Sequence, residues 1–529
     1  MMATDHTPDL THSSDDDDVV PIPPRFWWLK RIVVVTAIVV VALAGLRIWW
    51  AWDTKRRLRS AIDARIALNE PIYPADFNPT ETIPDAENAA KLLLQASAAV
   101  NVAYERRELL RDFPTEPARI ENHPDAIAAI IEANARSLDL AHKARSVENA
   151  DWGVRVKSPA INTLLPNLSG QRELSKLLGL AAGHQHAVGR DDDAIETLND
   201  LLAHAAKLDH HTTLIGHLVA TSVCAVAVRQ IEWIAPTLDV HARIGPDEER
   251  TPGKAAREHV ETLIMDLVDE QHAQDAQVRA IWSERMINLD CLHVLQQGGT
   301  SVTALTMGGP TGVGDLLERG LTALFFPAIR TDGLWAFEYL TDLAASVRNP
   351  QWPGDAPTSP LEQRCDATSN WLRRPMSCNL LPFLGRAILL HYRALAERRM
   401  AAIALAIRLY ELDHGARPDR LAQLIPDYLP YVPPDPFAAD ETALRYKPLA
   451  EPPVLYSVNS DGVDDDGRFA LRSNGTVNWD ELDLVFFLNG DRPVPPPPEE
   501  KEDAPVPPSP GTQHEDRDRQ NGSRDQHQQ

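Results

Sequence analysis

Residues Ala401–Phe437 read AAIALAIRLYELDHGARPDRLAQLIPDYLPYVPPDPF, and a second piece within Leu455–Leu488 reads LYSVNSDGVDDDG and then DLVFFL. From Asn379 onward, Leu384, Ile388, Tyr392, Leu395, Ile403, Ile407 and Tyr410 recur at steps of three, four or eight. That spacing predicts one long helix with an apolar face, running to about Asp413. Arg399 interrupts the stripe and is expected at its margin. His414-Gly415 supplies the stop, because glycine tolerates the left-handed backbone of a helix end, and Pro418 blocks continuation. A short helix over Asp419–Ile425 is closed by Pro426. Ala443–Lys447, Val454–Val458 and Leu484–Leu488 read as strands too short to stand alone, so they need the long helix as cover. The expectation is an α+β module over 379–489, with a long helix lying over a small antiparallel sheet.

Upstream, residues 1–24 are acidic and polar and read as a disordered tail. In RFWWLKRIVVVTAIVVVALAGLRIWWAWDTKRRLR, Ile32–Leu46 carries no charge and Ile48–Trp52 extends the apolar run past Arg47. The run is about 20 residues, enough for a helix to cross a bilayer. Trp27, Trp28, Trp49, Trp50 and Trp52 suit interfacial belts, and Arg47 is expected to snorkel. With no small-residue cleavage site following, 25–53 reads as a single transmembrane anchor and not a signal peptide. Segment 54–83 reads as a basic juxtamembrane helix over Lys55–Leu68, then a linker, since Glu70–Pro84 holds four prolines. Over 84–348 the pattern is a helical body. Asp85 is the expected N-cap of its first helix, and Pro124–Val147 forms a second. Gln171–Val188, Asp191–Leu208 and Thr212–Ile234 form three more. GRDDDAIETLNDLLAHAAKL resembles a turn and helix of a tetratricopeptide-like hairpin, although no 34-residue period runs through the chain. Ala255–Leu289 and Leu316–Val347 are also helical. Segment 349–378 reads as a linker, and 490–529 as a disordered Pro-rich tail.

The net charge of −24 excludes nucleic acid as a main partner, because phosphate binding needs a basic face. Four cysteines in 529 residues exclude a disulfide scaffold. Cys365 and Cys378 are near enough in sequence to pair in an oxidising compartment; the alternative is two buried thiols. Cys224, in TSVCAVAV, reads as core.

The C-terminal module resembles the head of the type II secretion major pseudopilins. Ala404–Tyr410 with Asp413-His414-Gly415 and Pro418, then Leu421–Leu424, Tyr428-Leu429 to Pro433, Asp435-Pro436-Phe437, Arg445-Tyr446, Leu455-Tyr456-Ser457, Asp461-Gly462 and Asp483-Leu484 match that family's elements in order. The resemblance covers roughly residues 385–489. It departs at the other end: no Gly-Phe-Thr-Leu-type processing site precedes Ile32, and over 300 residues separate membrane helix from head. The whole layout, including Ile83-Pro84-Asp85-Ala86-Glu87-Asn88-Ala89-Ala90, also resembles membrane-anchored proteins of planctomycete-type bacteria, a resemblance that brings no activity with it.

Asp461, Asp464, Asp465 and Asp466 place four carboxylates in six residues, which repel unless solvated or neutralised by a cation. Calcium takes six to eight oxygens from flexible loops. The EF-hand pattern fails, since with Gly467 as the loop glycine the first ligand position is Gly462. The related pseudopilin turn is a calcium site, and the resemblance implies Ser457, Asp461, Asp464, Asp465, Asp466 and Asp483 as candidate ligands of a structural calcium. A solvent-exposed Asp/Gly hairpin turn explains the same residues.

Six histidines fall between residues 184 and 217: His184, His186, His204, His210, His211 and His217. No HExxH motif accompanies them, so polar positions on helix surfaces, or capping residues around Asp209, explain them better than a zinc or catalytic site does. Gly308–Gly314 lacks the Gly-Lys-Ser/Thr ending of a phosphate loop.

The expectation is a mainly α, single-pass membrane protein held in the bilayer by Ile32–Trp52. It would act as an interaction or scaffold component with protein partners at the cell envelope. The basic flank Lys55, Arg56, Arg57, Arg59 and Arg65 favours a cytoplasmic body by the positive-inside rule. The calcium-like turn and the resemblance favour the outer face, which is the expected placement. An envelope hydrolase using the histidine-bearing helices is the alternative, and a secretion-apparatus subunit is a third.

Overall fold

The computed structural model describes residues 26–493 apart from 80, 82, 112–116, 166, 212, 242–250, 308–312, 350, 353–358, 366–373, 382–383, 441 and 474. The expected tail 1–24 and nearly all of 490–529 lie outside the described residues. Helix α1, Trp27–Ile66, is long and apolar enough to cross a membrane, and its apolar window has no residue buried inside the structure.

The chain between 70 and 84 does not hang free. Ile72 and Phe77 are buried. Arg285, itself fully buried, donates to Glu70 (2.6 Å) and to the Pro71 carbonyl (3.2 Å). The prolines shape this segment, and the buried guanidinium fastens it to the body.

The body opens with α2 (Ala89–Ala99), capped by Asn88 and not by Asp85. Asn88 accepts the Ala90 N–H (3.1 Å) and also pairs with the backbone of Asp151 at 2.9 Å each way. After α3 (Arg107–Arg111) and α4 (Pro117–Asn122) come α5 (Pro124–Ala133) and α6 (Ala135–Arg145). The single helix expected over 124–147 is broken at Asn134. Its buried amide donates to the Asn101 (2.9 Å) and Ile130 (2.7 Å) carbonyls and accepts the Asn101 N–H (2.6 Å). A side chain that competes for backbone groups in this way interrupts a helix.

The three helices expected over 168–236 are present as α7 (Leu168–Ala187), α8 (Asp191–Leu208) and α9 (Leu214–Ile234). Each packs on the other two. Carboxylates in the first turn of α8 suit the helix dipole and also tie the layer together. Asp191 accepts from Asp239 N–H (2.6 Å), and Asp192 from Ala256 N–H (2.8 Å). Helix α9 would pass for a membrane span by length and apolarity, but it is mostly buried and is a core helix. Then come α10 (Arg257–Val268), α11 (Gln271–Gln296), α12 (Val302–Met307), α13 (Val313–Ser346), α14 (Ser359–Cys365) and α15 (Pro375–Leu380).

The long C-terminal helix, α16, spans Leu384–His414, and Gly415 ends it at φ +73°. β1 (Arg445–Lys447), β2 (Val454–Ser457) and β5 (Leu484–Phe487) form an antiparallel sheet in the order β1-β2-β5, with Tyr446 opposite Leu455 and Leu455 opposite Phe486. Helix α16 packs on β2 and β5, two of the three strands it was expected to cover. A hairpin of β3 (Phe469–Leu471) and β4 (Val477–Leu482) was not foreseen.

The same helix also packs on α9 and α10. One apolar core therefore runs unbroken from Leu93 through Leu198, Ile231 and Leu405 to Leu455 and Phe486. Arg399, expected at the stripe's margin, is buried in this seam. It donates to both Glu270 oxygens (2.7 and 2.6 Å) and to the Pro434 carbonyl (2.7 Å). Glu232 of α9, also fully buried, accepts the Phe487 N–H (2.8 Å) and so ties strand β5 to the body.

Breaking a buried ion pair by removing one partner leaves an uncompensated charge. Arg399→Met is therefore expected to lower the full chain's stability by about 3–5 kcal/mol, with an Arg399→Met/Glu270→Met double variant recovering most of it. Denaturant melts of the two variants check this.

Candidate functional site

The seam between body and module contains a cleft of about 320 Å³, bounded by α8, α9, α10, α11 and α16. The sequence makes its inner wall through a tight turn. Asp209 follows the last residue of α8, and Thr213 caps α9 by accepting the Gly216 N–H (3.1 Å). A Cβ at Gly216 would meet the His211 Cβ at 2.3 Å, so only glycine fits there. This turn sets His217 in the first turn of α9, facing back on Asp209.

Three buried groups then form a line. His217 Nδ1 lies 2.7 Å from Asp209 Oδ1, and His217 Nε2 lies 3.2 Å from His391 Nδ1 on α16. A carboxylate accepts, so the partners assign the proton of His217 to Nδ1. Its Nε2 then accepts from His391 Nδ1–H, leaving the lone pair of His391 on Nε2. Burial, followed by His217, Arg398 and Arg399, holds His391 well below the usual imidazole range. His391 is therefore neutral.

The rest of the lining is occupied in structural contacts. Arg398 donates to the carbonyls of Leu267 (3.2 Å), Asp266 (2.7 Å) and Asp269 (2.8 Å), capping the C-terminal end of α10. Thr221 donates to the His217 carbonyl (2.9 Å). Burial pushes the Cys224 thiol up, which leaves it inert as a nucleophile. The line therefore offers an orienting carboxylate and a base, without an activated side-chain nucleophile among these cleft groups.

Of the six histidines singled out in the sequence, only His217 enters this line. His204 Nε2 donates to Gln171 Oε1 (2.9 Å), His211 stacks on Trp152 with centroids 4.9 Å apart, and His210 lies against His272. His186 bonds Asp191 (2.6 Å) and Thr237 (2.9 Å). Burial and Arg190 lower the pKa of His184. His391 was missed because it lies 174 residues from His217.

The candidate calcium ligands share one end of the small sheet, and the chain's own groups answer them. Ser457 Oγ donates to Asp435 (2.6 Å), a fully buried carboxylate that also accepts Val458 N–H (2.9 Å), Phe437 N–H (3.0 Å) and Arg445 Nη1 (3.1 Å). Asp461 accepts the Val463 N–H (3.1 Å). Asp464 pairs with Arg445 (2.7 Å), Asp465 with Arg468 (2.8 Å), and Asp466 with Lys447. Asp483 accepts Gly467 N–H (2.7 Å), and burial pushes its carboxyl up to about 6. Among the described residues, no group of three or more His, Cys, Asp or Glu side chains is placed to hold a metal ion. Arg445, Arg468 and Lys447 thus engage Asp464, Asp465 and Asp466, whereas Asp461 and Asp483 are met by backbone N–H groups.

Comparison with protein-family models, curated proteins and solved structures finds no match to this chain.

Two outcomes follow from these environments. Burial lowers His204 to about 3 and His211 to about 4, and moves His391 the same way. Unfolded histidine titrates near 6.5. The unfolded state thus binds protons that the folded state refuses, and stability is lost as pH falls from about 6.5 toward 4. Asp483 works in the opposite sense between 3.8 and about 6, and so do Asp200, Asp266, Glu284 and Glu397, whose carboxyls burial also raises. The contribution of one histidine is isolated by its variant: in thermal melts from about pH 7.5 to 5, His204→Leu should lose less midpoint with falling pH than the unaltered chain does. The second outcome concerns the turn: the melting temperature of the full chain should be the same in calcium and in chelator.

Proposed function

We propose that this chain is a membrane-anchored protein of the bacterial cell envelope, with its body outside the cytoplasm, acting as an interaction or scaffold component. Its partners on this reading are the lipid bilayer, through Ile32–Trp52, and other envelope proteins. The observation that carries the placement is the disulfide between Cys365 and Cys378, whose Cα atoms are 5.5 Å apart. Such bonds persist in oxidising compartments and are rare in the cytosol. The basic excess after the span points the other way, but part of it is already paired: Arg57 with Asp53 (2.8 Å) and Arg65 with Glu70 (3.7 Å). The apolar, uncovered surface of α1 supports anchoring.

The scaffold reading also draws on how the pseudopilin-like module is held. In the family it resembles, the head helix continues directly from the membrane helix. Here α16 is packed between the small sheet and α9 and α10, so its surface is already committed within the chain. That weighs against pilus-like polymerisation and against a secretion-apparatus subunit. The hydrolase reading keeps second place because of Asp209, His217 and His391, with a cleft water as the group to be activated.

Protease added to intact spheroplasts should degrade the body, while Cys365 and Cys378 should resist alkylation until reduced. A protected body with freely alkylated thiols would place it in the cytoplasm.

A further inference from the structure

Helix α13 meets the apolar helix α1 through two sequence anomalies that answer one another. Arg47 is a charge inside the apolar run of α1. Pro327 lies inside α13 and brings no backbone N–H, so the carbonyl four residues earlier, that of Ala323, loses its helical donor. Arg47 Nη2 donates to that carbonyl (3.0 Å) and Nε donates to Leu324 O (3.1 Å). Arg47 is thus held by α13 and does not snorkel.

The next contacts fix the direction of the pair. Arg330 Nη1 donates to Ala51 O (3.1 Å), and further along Arg285 bridges Glu70 and Thr341 (2.6 and 3.1 Å). The two helices therefore run side by side in the same sense. At about 1.5 Å per residue, Arg47 lies roughly 8 Å short of the end of the apolar run at Trp52, and the start of α13 lies roughly 15 Å deeper than Ala323. The first half of α13 accordingly extends to the same depth as the apolar stretch of α1, whose residues before Ala51 are all exposed.

That half is dressed for an apolar solvent. Leu316, Leu317, Leu321, Leu324 and Phe325 are 47–68% exposed. The exposure stops at Pro327, beyond which Ile329, Leu334 and Ala336 are buried in the body. The charges on the half are tied: Arg319 pairs with Asp315 (2.5 Å), and Glu318 accepts the Thr303 N–H (3.0 Å). Paired charges are the form in which ionisable residues are tolerated within a bilayer. Beside the strip lies a cleft of about 540 Å³, walled by Val302, Leu321, Phe325, Ile329 and Pro375.

We infer that the amino-terminal half of α13 lies in the bilayer beside α1, and that phospholipid acyl chains cover its apolar strip and enter the adjoining cleft. This rests on the anchoring reading of α1. Lipid is the occupant because the strip is continuous with the exposed face of α1, joined to it at Arg47 within the apolar run. What covers one covers the other. The body is then seated on the membrane at a set height, consistent with its packed tether at Ile72 and Phe77.

The test places a photo-crosslinking residue singly at Val40, Leu321, Phe325 or Leu449 in the full chain in native membranes. All four are exposed, so folding is spared. Adducts are read by mass spectrometry. Lipid adducts are expected at Val40, Leu321 and Phe325, and none at Leu449. An adduct at Val40 alone would leave the anchor standing and overturn the inference. Crosslinks from Leu321 or Phe325 to a second copy or another protein would also overturn it. No lipid at Val40 would remove the anchoring reading and this one with it.

Discussion

The buried guanidinium of Arg399 is the constraint on which the assembly turns. Helix α16 must serve the small sheet on one face and α9 and α10 on the other. An apolar helix between two apolar surfaces has little to fix its rotation. Arg399 supplies that definition, because it must find Glu270 and the Pro434 carbonyl at once. Any other rotation leaves a charge without partners in the interior, which costs several kcal/mol. The strands are too short to compensate for a misplaced cover.

The same device recurs wherever the chain crosses from one part to another. Glu232 reaches from α9 to the Phe487 N–H, and is itself met by Arg229 (2.5 Å) and Arg492 (2.8 Å). Asp332 of α13 accepts the Met376 and Ser377 N–H groups (2.9 and 3.0 Å), capping α15 beside the Cys365–Cys378 disulfide. Asp435 gathers Ser457, Val458, Phe437 and Arg445. Each is a buried carboxylate with at least one partner distant in sequence. Together they give the continuous apolar core a defined arrangement.

The polar cleft is a consequence of the same seam. Where α9 and α16 diverge from close packing, Asp209, His217 and His391 fill the space with a hydrogen-bonded line rather than with apolar side chains. At the N-terminal helix, Arg47 and Pro327 join α1 to α13 by the same logic: an orphaned carbonyl is answered by a side-chain donor.

Local physics was legible in the sequence. The spacing from Leu384 to Tyr410 foretold α16, Gly415 its stop, and the DDD run the start of α8. The three strands of the sheet fell within the short runs Ala443–Lys447, Val454–Val458 and Leu484–Leu488, because local strand preference is a property of neighbouring residues. The uncharged run Ile32–Leu46 likewise declared a helix able to span a bilayer. What tertiary structure alone decided were the partners. Nothing in the chain announces that His391 meets His217, that Arg445, Lys447 and Arg468 answer the aspartates of the turn, or that Arg399 is buried and not marginal. Nor does spacing reveal that Asn88 and not Asp85 begins α2, since that choice depends on Asp151 across the fold. The physical reason is common to all of these. A side chain's secondary-structure preference is set within a few residues, whereas the partner that satisfies a buried charge is supplied by an element anywhere along the chain.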